Sequence, residues 1–155
     1  MVVVCLCALL AGLSMMQLSF LDATIARAEI DKLATVCTYV QQLARATNEE
    51  KFLTFDMQKN EYTCDGFAEK LSQRVSFGIL PGVKGPPGSP DHVVEKAITF
   101  PGQRICFYPT GVISSGTVYL IDKRYSVQYA LSNAVSQVSY LRMYRYDGGW
   151  KLYEM

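Results

Sequence analysis

The sequence predicts an α+β protein, a long N-terminal helix packed on an antiparallel β-sheet domain. Three observations predict it. From Met1 to about Asn48 there is no proline and a single glycine, Gly12, and helical spacing runs through without a turn cluster. From Lys51 onward, short runs alternate apolar and polar residues, which is the period of strands. Tyrosine, a strand former with a polar tip, is the compositional outlier: of ten, eight lie from Tyr108 onward.

The helix divides into two halves. Residues 1–21 carry no charge and are apolar on every face, which predicts a transmembrane segment; the family resemblance given below implies that it would also form a filament core. A cleaved signal peptide would carry a basic n-region, and no Lys or Arg precedes Arg27. Small residues at Ala8, Ala11 and Gly12 would let such helices pack closely. Residues 22–48 are amphipathic. Ala26, Ile30, Leu33, Cys37, Val40 and Ala44 recur at steps of four and three and draw one stripe. That stripe, with Leu33, Cys37 and Val40 at its centre, is expected to bury itself on the sheet.

Residues 49–155 suffice for one small domain. Lys51 to Met57 and Glu61 to Cys64 read as a hairpin around Gln58–Asn60, closed by Asp65-Gly66. Ala68 to Ser72 reads as a helical turn and Arg74 to Phe77 as a short strand. Residues 81–90 hold four prolines and three glycines and predict an exposed excursion. Further strands are expected at Ala97–Phe100, Arg104–Tyr108, Gly116–Asp122, Tyr125–Leu131, Val138–Tyr146 and Trp150–Glu154. Asp147-Gly148-Gly149 makes the last two a hairpin. Tyr125, Val127, Tyr129 and Leu131 are expected on the buried face, against a wet face of Ser126, Gln128, Ala130 and Ser132.

Little in the chain suggests chemistry. There is no GxSxG, HExxH, P-loop or GxGxxG motif, and the single His92 sits beside the proline-rich excursion. No catalytic residue, metal site or cofactor is expected. Of the five cysteines, Cys5 and Cys7 lie in the apolar stretch and Cys37 on the stripe. An oxidising compartment would permit a Cys64–Cys106 disulfide. Net charge is +1, so no global field favours nucleic acid. One local feature does: Arg142, Arg145 and Lys151 are interleaved with aromatics on the last hairpin, a composition suited to single-stranded nucleic acid. In a regular strand, Arg142 and Arg145 fall on opposite faces.

The run Met1-Val2-Val3-Val4-Cys5-Leu6-Cys7-Ala8-Leu9-Leu10-Ala11-Gly12-Leu13 resembles the apolar continuation of bacterial type IV pilins and type II secretion pseudopilins. In those families it follows a basic leader, a glycine and Phe-Thr-Leu-Ile-Glu-Leu. The resemblance implies that these elements belong upstream of Met1; the family's proline near position 16 is replaced by Met16. Further on, Ala97-Ile98-Thr99-Phe100, Cys106-Phe107-Tyr108-Pro109-Thr110-Gly111, Ser114-Ser115-Gly116-Thr117-Val118-Tyr119-Leu120 and Tyr125-Ser126-Val127 resemble the C-terminal domain of minor pseudopilin H and FimT-type minor pilins. The family's Gly-Arg pair before the last strand is Gln137-Val138-Ser139 here. The resemblance implies a pilin-like fold and a non-enzymatic structural subunit of a type II secretion pseudopilus. Its implied partners are other pseudopilins or pilins and an inner-membrane assembly platform. Its implied place is the bacterial inner membrane, single-pass, with the C-terminal domain in the periplasm. The alternative it implies is a minor type IV pilin of a competence or pilus system that binds DNA.

Overall fold

A computed structural model describes residues 2–89, 91–124, 126–135 and 138–153, with the helix side chains described from residue 25 onward. One helix, α1 (Val2–Thr47), precedes nine strands. They are β1 (Lys51–Asp56), β2 (Glu61–Cys64), β3 (Phe67–Lys70), β4 (Val75–Phe77), β5 (Arg104–Phe107), β6 (Gly116–Asp122), β7 (Val127–Asn133), β8 (Arg142–Tyr146) and β9 (Trp150–Tyr153).

The expected class, a long helix lying on one sheet in the pilin manner, is not what is observed. The body is mostly antiparallel sheet, divided into two: a four-stranded sheet in the order β3-β2-β1-β5 and a five-stranded sheet in the order β4-β6-β7-β8-β9. The part of α1 whose side chains are described and that packs on the sheets, residues 25–47, is about 23 residues. Alternation along a strand reports which faces it presents, not which strand it pairs with. The division comes from two non-local choices: β4 leaves its sequence neighbours to pair with β6, and β5 returns to pair with β1.

The helix stripe serves both sheets. Ala26, Ile30, Leu33, Cys37, Val40 and Ala44 share one core with Leu53, Phe55, Tyr62, Ile105 and Phe107 of the smaller sheet. Val75, Val118, Leu120, Tyr129, Leu131 and Met143 of the larger sheet complete it. Phe55 and Phe77 meet edge to face at 5.5 Å and join the two sheets.

Several local expectations are corrected. Ala68–Ser72 is not a helical turn: Phe67–Lys70 forms β3, paired with β2 from Cys64↔Phe67 to Glu61↔Lys70. The two-residue Asp65-Gly66 turn, with Gly66 at φ +92°, sets that register. Ala97–Phe100 is not a strand and makes an isolated bridge at Ile98↔Val118. The last hairpin's first strand starts at Arg142 rather than Val138.

The proline-rich segment is no free excursion. Val83 is buried, and the Trp150 indole N–H donates to the Lys84 carbonyl (3.1 Å) and the Gly85 carbonyl (2.6 Å). This segment lies over the far face of the five-stranded sheet, so the face expected to be wet is dry. Gln128 is 1% exposed, Ala130 0% and Ser132 5%. Gln128 accepts from the Leu80 N–H (2.7 Å) and donates to the Gly78 and Leu120 carbonyls (both 3.0 Å). A buried amide satisfied on both sides costs little, which is how a polar strand position becomes core.

Candidate functional site

The helix stripe is where sequence and structure meet most directly. Leu33 and Val40 are fully buried and Cys37 nearly so, all three in the core that also holds Tyr129 and Leu131. Val127 packs at its edge. Burial raises the Cys37 thiol well above its ordinary value, and the neighbouring Cys64 adds to the effect. A thiol held neutral in this way is a packing group and not a nucleophile. Gln41 fastens the far end of α1: its Nε2 donates to the Gly111 carbonyl (2.7 Å) and the Ser139 carbonyl (2.8 Å).

Ala8, Ala11 and Gly12, expected to carry helix–helix assembly, lie outside the described side chains. Among the described residues no helix is long and apolar enough to cross a membrane. The uncharged stretch 1–21 is likewise outside the described side chains.

The structure leaves Cys64 and Cys106 as free thiols, so the Cys64–Cys106 disulfide expected under oxidising conditions is corrected. The register gives the reason. Both flank β1 in the four-stranded sheet, so a whole strand separates them, on the order of 9–10 Å. That exceeds the reach of a disulfide, about 7 Å between Cα atoms. They also face opposite ways: Cys106 stands opposite Phe52 on the outer face, whereas Cys64 is buried with the inner residues Leu53 and Tyr62. Cys106 lines a surface groove of about 360 Å³ with Glu50, Phe52, Arg104, Tyr108 and Ser114. Burial pushes its thiol up, while a hydrogen bond with Tyr108 works against that rise.

The three residues of the nucleic-acid reading do not form one patch. Arg142 pairs across from Ser132, on the face covered by the 78–93 segment, and its guanidinium lies 5.1 Å from the Tyr140 ring centroid. Arg145 pairs across from Tyr129, on the helix side, with Lys151 as its partner on β9. Lys151 is bonded to Asp147 at 2.8 Å. The two arginines therefore point to opposite sides, as the odd spacing within β8 requires.

His92 is exposed, and its carbonyl accepts from the Gly85 N–H within the 85–92 turn. Among the described residues, no group of three or more His, Cys, Asp and Glu side chains is placed to hold a metal ion. What sequence reading missed is a polar set at the end of β6 and β7. The Thr117 and Ser132 hydroxyls share a hydrogen bond of 2.8 Å, and Asn133 Nδ2 donates to the Ile113 carbonyl (2.9 Å) and the Ser114 carbonyl (3.1 Å). These bonds pin a chain crossing, and only the burial of both strand faces would have signalled them.

No family model, curated protein or solved structure matches the chain.

Proposed function

We propose that this chain is a structural subunit that works by assembly, of the minor pseudopilin kind in a type II secretion filament. One observation carries the reading: the uncharged run Met1–Leu21 precedes an amphipathic stretch whose stripe, Ala26 to Ala44, is buried in the body. A helix of that kind can hold the body at a bilayer and then exchange lipid for equally apolar neighbouring helices, with small residues at Ala8, Ala11 and Gly12 allowing close approach. The two-sheet body would sit on the periplasmic side of the inner membrane and coat the filament. The reading draws its family from the sequence resemblance and not from the fold.

Two native cysteines, Cys5 and Cys7, give the test. In membranes of cells that make the full secretion system, mild oxidation is expected to yield covalent oligomers that disappear in a Cys5→Ser, Cys7→Ser double variant. A chain that leaves the membrane fraction with alkaline carbonate, or that yields no Cys5- or Cys7-dependent products, would refute it. The nucleic-acid reading loses its single basic surface, because Arg142 stands apart from Arg145 and Lys151.

A further inference from the structure

On the far face of the five-stranded sheet, two hollows of about 370 and 70 Å³ adjoin and share Ser132, Asn133 and Ala134. Register sets three side chains in a row along them. Thr117 of β6 pairs with Ser132 of β7, and Ser132 pairs with Arg142 of β8. Directly paired residues share a face, so the row crosses three strands over about 10 Å. Pro86, Gly88 and Ser89 of the covering segment, with Ser115 and Gly116 at the start of β6, wall the larger hollow. Asn133 fixes that second wall, because its Nδ2 donates to the Ile113 and Ser114 carbonyls just ahead of it (2.9 and 3.1 Å).

The two hollows differ in chemistry. The larger is lined by hydroxyls and by no charged side chain. The Thr117 and Ser132 hydroxyls lie 2.8 Å apart and share one bond. That bond uses one of the pair's two protons, so the pair can still both donate and accept. Ser89 and Ser115 add exposed hydroxyls at the walls. The smaller hollow is lined by Tyr140, Tyr144 and Arg142. Arg142 is exposed, and among the described residues no carboxylate pairs with it. Tyr140 holds it instead: the guanidinium lies 5.1 Å from the ring centroid and donates to the hydroxyl at 3.2 Å. A planar guanidinium steadied in this way keeps donors free for an anion.

We propose that this cleft binds an acidic sugar, with the carboxylate on Arg142, a ring face against Tyr144 and hydroxyls over Ser132 and Thr117. A sugar hydroxyl donates and accepts at once, as the floor does. An aromatic wall beside a few fixed polar groups is the usual composition of a small-molecule site. A single cation suits one carboxylate and not a nucleic-acid backbone, whose binding grows with the number of cations it meets. The inference concerns the sheet body and does not depend on the pseudopilin reading.

The test is an amide chemical-shift titration of the isotope-labelled full chain in detergent micelles, with glucuronate, glucose and acetate as probes. The expected result is saturable glucuronate binding with shifts at 86–89, 115–117 and 132–135. Glucose should bind about tenfold more weakly, the usual loss when a bond to a charged group is removed. Arg142→Gln should bring glucuronate down to the level of glucose and leave the rest of the spectrum unchanged. Equal binding of both sugars by the unaltered chain would overturn the assignment to an acidic sugar. Acetate binding as tightly as glucuronate would leave only an anion site at Arg142 and overturn the sugar. No saturable shift with either sugar would overturn the cleft, and saturation by an aspartate-containing peptide in that case would assign the surface to a protein partner.

Discussion

Tyr62 shows how one residue sets a pH limit on the fold. Its side chain is fully buried, and its hydroxyl has no hydrogen-bond partner. Burial first, then the nearby Glu69 and Glu29, raise its ionisation well above the ordinary value of 10.0. Cys37 behaves alike from its ordinary 9.0, and burial pushes Tyr119 up to about 12. In each case the folded chain keeps a proton that the unfolded chain releases. Stability is therefore full below the unfolded values and falls as pH rises through about 9 to 10. Urea unfolding across alkaline pH should show that loss. Tyr62→Phe removes a buried hydroxyl that bonds to nothing, so it should leave stability at pH 7 unchanged or higher and flatten the alkaline fall. A steep loss at pH 7 would mean the hydroxyl is engaged. Leu33→Ala should cost about 2–5 kcal/mol in the same melts, the usual range for an emptied leucine site. Tyr39→Ala, at a position 56% exposed on the outer side of α1, should stay within about 0.5 kcal/mol.

Among the elements, the segment from Gly78 to Val93 matters most for what the surface becomes. It buries the far face of β7, at Gln128, Ala130 and Ser132, and Gln128 is the residue that binds it there. Gln128→Leu keeps the volume but strands the Leu80 N–H and two carbonyls. The expected cost is about 1–3 kcal/mol for each buried group left unpaired. Because Trp150 is anchored to the Lys84 and Gly85 carbonyls, the segment's release should also shift tryptophan emission to the red. Unchanged emission would show that the segment holds without Gln128. The turn at Pro109–Gly111 is a second such joint. Gly111 has φ +87°, and a Cβ there would overlap the Arg45 guanidinium, so Gly111→Ala should loosen the contact between this turn and α1. Faster amide exchange at 109–113, with the sheets unaffected, would be its signature.

For the molecule as a whole, the two faces of β8 decide how charge is displayed. Arg142 and Arg145 serve different surfaces, so their contributions to any polyanion binding should be independent. Titration of a single-stranded oligonucleotide at moderate salt should give no micromolar complex. If one forms, Arg145→Ala with Lys151→Ala should weaken it while Arg142→Ala does not. Equal losses from both arginines would mean the hairpin turns to present them together.

The sequence by itself determined the periodic elements. The step of four and three in Ala26–Ala44 is a property of the chain alone, and the residues it marks are the ones in the core. The strands β1, β2, β5, β6 and most of β7 were legible from alternation, and the last hairpin from Asp147-Gly148. Alternation could not report partners. Whether Cys64 meets Cys106, whether Phe67–Lys70 joins β2, and whether one sheet or two lies under the helix all depend on non-local pairing. A sheet's pairing is written in register and turn geometry and not in period. The far face of β7 was misread for a related reason. Gln128, Ala130 and Ser132 look solvated until a segment distant in sequence folds over them and satisfies the amide. Burial is a property of the neighbours a residue acquires, and only the tertiary structure supplies them.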